Sequence, residues 1–152
     1  MQAKDLRSQP PRRWNVRVDG IPWLPRLIDK ARAERAGTLG AYLFGQSPMD
    51  RSFLRQFRIS HSEFARVAAR NQSDEAVLSA LLARDPESAV RIRRWCDGFE
   101  RRHGWFLFLL DVDDGYLGGV WRAFKPVVTL GANGLTWTIK RIWPWHSAET
   151  SE

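Results

Sequence analysis

The chain has 152 residues, with 24 Lys or Arg against 17 Asp or Glu and a formal net charge of +7. At 43% apolar and 27% charged it has a globular composition and enough length to bury a core. It contains no run of about 18 uncharged apolar residues that would span a bilayer, no leader is read at its start, and its single cysteine, Cys96, excludes an internal disulfide and fits a reducing compartment, the cytoplasm.

The charge is uneven. Residues 1–70 hold fourteen basic and six acidic side chains, a balance of +8, whereas residues 71–115 hold six and nine, and residues 116–152 four and two. A basic first half attracts nucleic acid, anionic lipid or acidic partners. No zinc-finger spacing, ribonucleoprotein aromatic signature or helix-turn-helix pattern accompanies it, so nucleic acid is not the expected partner.

Residues 1–22 read as an irregular arm. Pro10, Pro11, Gly20 and Pro22 break any long element, while Trp14, Val16, Val18 and Ile21 are apolar enough to dock it on a core, anchored by Trp14 or Trp23. A helix follows, and the rest of the chain is expected to pack around it. Leu24, Leu27, Ile28 and Ala31 fall at i, i+3, i+4 and i+7. Pro25 suits its first turn, good helix formers fill 30–36, and Gly37 is a natural stop. Asp29, Lys30, Arg32, Glu34 and Arg35 occupy its other positions and read most simply as a solvated face with weak ion pairs, Asp29 being near enough to Arg32 to pair on the surface.

Ala41 to Gly45 is a small apolar turn. Ser47 or Asp50 is expected to cap a helix through Phe57, with Phe53, Leu54 and Phe57 inward. Ser60-His61-Ser62-Glu63 has the capping-box form and opens a helix to about Arg70. Ser73-Asp74-Glu75 opens another, with Val77, Leu78, Leu81 and Leu82 inward. Asp85-Pro86-Glu87 starts a helix from Pro86 to about Arg102, with Val90, Trp95 and Phe99 inward and an end or bend at His103-Gly104. Trp105 to Leu110 is wholly apolar and reads as a core helix. The expected fold is all-α: a compact bundle of about six short helices, with the irregular arm before it and a Trp-rich extension, residues 116–152, after it.

Several stretches carry a resemblance. Leu24-Pro25-Arg26-Leu27-Ile28-Asp29-Lys30-Ala31-Arg32-Ala33, then Ala36-Gly37-Thr38-Leu39-Gly40-Ala41-Tyr42, then Ser47-Pro48-Met49-Asp50 resemble the signature of a bacterial domain-of-unknown-function family, the one numbered 5069. Leu110-Asp111-Val112-Asp113-Asp114-Gly115 resembles its closing motif. The likeness covers roughly residues 5–115 and implies a small cytoplasmic helical domain, residues 1–115. It carries over no activity and no catalytic residue. Tyr116 stands where many members are expected to have a basic residue, and residues 116–152 read as an addition.

Catalytic motifs are absent: no Walker loop, nucleophile elbow or dinucleotide fingerprint occurs. His61, His103 and His146 are widely spaced with no cysteine pair, so neither a metal nor a cofactor is expected. Asp111, Asp113, Asp114 and Gly115 depart from the EF-hand: the glycine is one place early and Arg122 stands where the bidentate glutamate belongs. They read as an exposed acidic turn or helix stop, and Cys96 as a small buried hydrophobe. The candidate site is Asp29, Lys30, Arg32, Tyr42 and Asp50. These residues either close the helix-turn-helix corner by hydrogen bonds, or form a pocket in which Lys30 and Arg32 hold an anionic group while Asp29 or Asp50 takes a proton.

The extension is rich in Trp121, Phe124, Trp137, Trp143 and Trp145, interrupted by Arg122, Lys125, Lys140 and Arg141. That mixture suits a helix lying at a bilayer interface. It also suits wrapping of the chain's own core, a protein partner, or a second copy of the chain meeting residues 116–145. The function expected is a non-enzymatic interaction module docking on a partner or membrane surface through this tail, peripheral at the membrane in the second case. The alternative is a small enzyme or binder of an anionic small molecule built on Asp29, Lys30 and Arg32.

Overall fold

Helix-forming stretches separated by capping residues fold into an all-α architecture. The structure is a computed structural model that describes residues 3–118, 123, 125–131 and 134. Six helices follow in order: α1 (Leu24–Arg35), α2 (Pro48–Gln56), α3 (His61–Arg70), α4 (Asp74–Arg84), α5 (Ser88–Cys96) and α6 (Phe99–Asp113). Residues 125–131 are helical as well.

Three of the helix starts follow directly from their serines. Ser47 accepts a hydrogen bond from the Asp50 N–H ahead of α2, Ser60 and Glu63 form the reciprocal box of α3, and Ser73 accepts from the Ala76 N–H in α4. Asp50 therefore lies inside the first turn of α2, and Ser47 is its cap. The start of α1 is different. Its N-cap is Trp23, at φ 70° and without a side-chain cap. A bulky residue in that region is strained. The chain reaches it through a tight reversal in which Asp19 and Gly20 both have positive φ and Val18 pairs with Ile21, the pattern of a type I′ turn. The Trp23 N–H then donates to the Trp14 carbonyl at 3.1 Å, which ties the arm to the head of the helix.

Residues 21–31 are buried without a break. α1 is thus the central element, packed on α3 and α4, while α2 packs on α5. Leu24, Leu27, Ile28, Phe53, Phe64, Leu81 and Ile92 fill the core. Phe99 gathers the large rings, with Trp95, Trp14 and Trp23 at 4.6, 6.3 and 6.4 Å between centroids. These tilted and edge-on contacts suit the ring quadrupoles. Both candidate anchors are used: Trp23 is core and Trp14 half-buried.

Several expectations are corrected. Residues 86–102 are not one helix: Gly98, at φ 67°, divides α5 from α6, and α6 continues through Gly104 to Asp113. Val90 points outward at 55% exposure, and Ile92 takes the core place. Trp105, expected inside, is 74% exposed and Phe106 38%. The inward side of α6 is set by Phe99, His103, Leu107 and Asp111, one every four residues, and helical geometry puts Trp105 on the opposite side.

Leu27 is fully buried in α1, so Leu27→Ala is expected to cost about 3 kcal/mol. Chemical denaturation should show this as a lower midpoint with an unchanged slope.

Candidate functional site: the charged side chains of α1

A helix buried around its whole circumference is ordinarily apolar. α1 instead carries Arg26, Asp29, Lys30 and Arg32, of which the first three are buried. Buried charges must be paired, and each of these four has a partner from a different part of the chain.

On one side, Lys30 Nζ donates to both oxygens of Asp50, at 2.6 Å each. Asp50 also accepts from Trp23 Nε1 and from the Gly45 N–H, each at 3.0 Å. Two donors per oxygen saturate this wholly buried carboxylate, and its place in the first turn of α2 favours its charge further. Burial pushes the Lys30 ammonium below the ordinary lysine value, against the opposing pull of Asp50. One turn earlier, Arg26 Nη1 reaches Asp114 Oδ2 at 2.7 Å, and the Tyr42 hydroxyl donates to Oδ1 of the same carboxylate at 2.9 Å. The Arg26 guanidinium lies over the rings of Trp23 and Tyr42, at 5.5 and 5.8 Å.

On the other side, Arg12 clasps Asp29 with its own N–H at 2.8 Å and with Nη2 at 2.8 Å, and pairs with Asp74 as well. Burial would lower the Arg12 pKa, yet Asp74 and Asp29 together raise it. Arg32 donates to the carbonyls of Asn71 and Gln72 beyond the end of α3, at 2.8 and 3.0 Å. Arg13 reaches Asp111 through two bonds of 2.9 and 2.6 Å, and the Tyr116 hydroxyl donates to the Pro11 carbonyl at 2.6 Å.

The five candidate residues are therefore divided. Lys30, Tyr42 and Asp50 meet near Trp23, Arg26 and Asp114, whereas Asp29 and Arg32 face the arm and α4. The acidic turn at the end of α6 is not the exposed feature expected: Asp111 and Asp114 are buried and receive arginines from the arm and from α1. Sequence reasoning missed Arg12, Arg26, Asp74 and Asp114 as partners. Arg26 and Asp114 lie inside the resembling motifs, which was the available signal, while nothing local marks Arg12. The tail candidates Trp121, Phe124, Trp137, Trp143 and Trp145 lie outside the described residues.

Lys30 and Tyr42 border a cavity of about 490 Å³ between α1, the 40–48 loop and α6, together with Trp23, Arg26, Phe106 and Leu110. A larger cleft, about 710 Å³, opens at the start of α3 between Glu34, Arg35 and Arg66. The Ser60 and Glu63 N–H groups of that helix end are already engaged by the capping box. Among the described residues no three His, Cys, Asp or Glu side chains are grouped to hold a metal. Cys96 is half-buried, and burial raises its thiol pKa, the reverse of what an activated nucleophile needs.

Asp50→Ala strands Lys30, Trp23 Nε1 and the Gly45 N–H together, so it is expected to cost about 3–5 kcal/mol. Lys30→Met should cost less, because Asp50 keeps two donors and the α2 terminus. Denaturant titration of the two variants side by side checks the order. Burial raises both tyrosines of the chain, Tyr42 and Tyr116, above the ordinary phenol value of 10.0, and Asp114 adds to each. The folded state then holds these protons longer than the unfolded chain does. Their contribution to stability is complete below pH 10.0 and declines as pH rises above it. Phenolate absorbance should therefore rise only as the protein unfolds, and Tyr42→Phe should make the alkaline loss of stability shallower.

No curated protein matches the chain. The family model described as Domain of unknown function (DUF5069) matches residues 8–105, which take in most of the arm, all of α1 to α5 and the first half of α6. With more than half its length matched, the chain belongs to that family, DUF5069.

Proposed function

We propose that the protein is a non-enzymatic interaction module that docks on an anionic bilayer surface through the outer face of α6, continued by the Trp-rich residues that follow it. The observation that carries this reading is Trp105, 74% exposed in the middle of a helix and stacked on Phe108 at 5.7 Å. Arg101 stands one turn before it and Leu109 one turn after, so a cation, a tryptophan and a leucine share one stripe. The amphipathic tryptophan ring favours the boundary between headgroups and acyl chains. Each arginine near an anionic surface adds about 1 kcal/mol of attraction. Val127 and Leu130 are also exposed in the helical segment beyond α6, and the net charge of +7 has the sign that such a surface attracts. No described helix is long and apolar enough to cross a membrane, so contact is at the surface. The engagement of Asp29, Lys30, Arg32 and Asp50 in internal pairs supports a structural task for α1 in this reading.

Co-sedimentation of the full chain with liposomes tests it. Binding to anionic vesicles is expected, with release by salt and little binding to neutral ones. Trp105→Ser, a change on the surface, should leave the melting temperature unchanged and weaken binding by about fivefold or more. A full chain that stays in the supernatant with anionic vesicles overturns the proposal, and its mass in solution would then show whether a second copy covers this face.

A further inference from the structure

We infer that the cavity under Tyr42 is a binding site for a small apolar monocarboxylate of the size of a medium-chain fatty acid. This goes beyond the surface reading of α6 and does not depend on it. The cavity, about 490 Å³, falls within the range of about 300–1,000 Å³ usual for small-molecule sites. Leu43, Pro48, Phe106 and Leu110 make apolar walls, and Arg26 and Lys30 stand among its polar lining.

Arg26 supplies the reason for a ligand. Its side chain is all but fully buried, with the residue 2% exposed. Nη1 is engaged by Asp114 at 2.7 Å and by the Arg12 carbonyl at 3.3 Å. Nε, out of reach of solvent, has no hydrogen-bond partner among the described residues. Buried donors are almost always satisfied, and an orphan calls for an explanation. The Nε and Nη2 edge of a guanidinium is the side that receives a carboxylate through two parallel bonds.

The ring of Tyr42 lies over that guanidinium and is held to Asp114 by its hydroxyl. It belongs to a segment whose Gly40 and Gly45 both have positive φ, at 65° and 72°. The rings of Trp23 and Tyr42 both lie over the guanidinium, at 5.5 and 5.8 Å, and Nε is closed off from the cavity, so the inference requires that Tyr42 turn aside and its phenol release Asp114 to admit a carboxylate. The charge count selects a monoanion. Arg7, Arg26 and Lys30 already face Asp5, Asp114 and Asp50, so among the described lining residues Lys125 is the one cation outside an ion pair, and Asp113 in the same lining partly offsets it, which leaves at most one negative charge to be balanced. A dianion such as a phosphate monoester would bring more negative charge than that.

Isothermal titration calorimetry of the full chain with octanoate, octanol and octyl phosphate, each below its micelle concentration, tests the inference. One octanoate per chain is expected, with octanol and octyl phosphate each weaker by about tenfold or more. Leu43→Trp fills the cavity and should abolish octanoate binding with the helical circular dichroism intact. Ala41→Trp, on the exposed lip, serves the same purpose should Leu43→Trp not fold. Trp105→Ser should leave octanoate binding unchanged, which separates this site from the α6 surface. No saturable heat with octanoate overturns the inference. So does octanoate binding that survives a tryptophan in the cavity, or octanol binding as tightly as octanoate.

Discussion

The ammonium of Lys30 sits in the middle of a helical core, and the structure around it is the set of conditions that lets it stay there. Removing such an ion from water costs several kcal/mol even after relaxation. Asp50 meets it, but a single carboxylate so buried must itself be saturated. Gly45 turns its N–H inward and Trp23 turns its indole N–H toward the same group. The side chain of Trp23 is thereby fixed, and its backbone sits in the left-handed region that a tryptophan rarely enters. The head of α1, the 40–48 loop and the first turn of α2 are one unit, organised by one charge.

The same logic is repeated around the helix. Asp29 faces Arg12, Arg26 faces Asp114, and Arg32 faces the end of α3. Because these partners approach from different directions, together they define one rotation of α1 about its axis. A turn by one residue position, about 100°, would break all of them at once. Apolar packing alone sets no such register, since Leu24, Leu27, Ile28 and Ala31 share their burial with the polar positions between them. The pairs therefore select a unique arrangement more than they add stability, the use of buried ion pairs that is best attested.

Much of this was legible in the residues. Ser47, Ser60 and Ser73 announce three helices because a cap is a local event, decided within four residues. Of the five positions singled out on α1 and after it, Asp29, Lys30 and Asp50 prove to be buried charges, whereas the charged positions of so polar a helix read from sequence as a solvated face. What was not legible depends on distance. Gly98 breaks a helix whose apolar stripe reads through it, because the break is a backbone rotation and not a change of pattern. Trp105 reads as core by composition alone, and nothing in an apolar run says which side will find a partner. Spacing matches Asp29 with Arg32, three residues on, but its partner is Arg12, which reaches it from an arm without periodicity.

The ties between the arm and the end of α6 have a consequence for how the chain is made. Arg13 and Asp111 are 98 residues apart, Pro11 and Tyr116 are 105, and Arg26 and Asp114 are 88. Synthesis proceeds from the amino terminus, and contacts so distant in sequence form late. The arm therefore leaves the ribosome well before its most distant ties, to Asp111 and Tyr116, can form. Until residue 114 has emerged, Arg26 lacks its carboxylate, and the centre of the nascent core contains a charge without an answer. The arm works as a latch: it closes fully once Tyr116 has emerged, and a product cut short before that point would keep an open core for quality-control proteases to find.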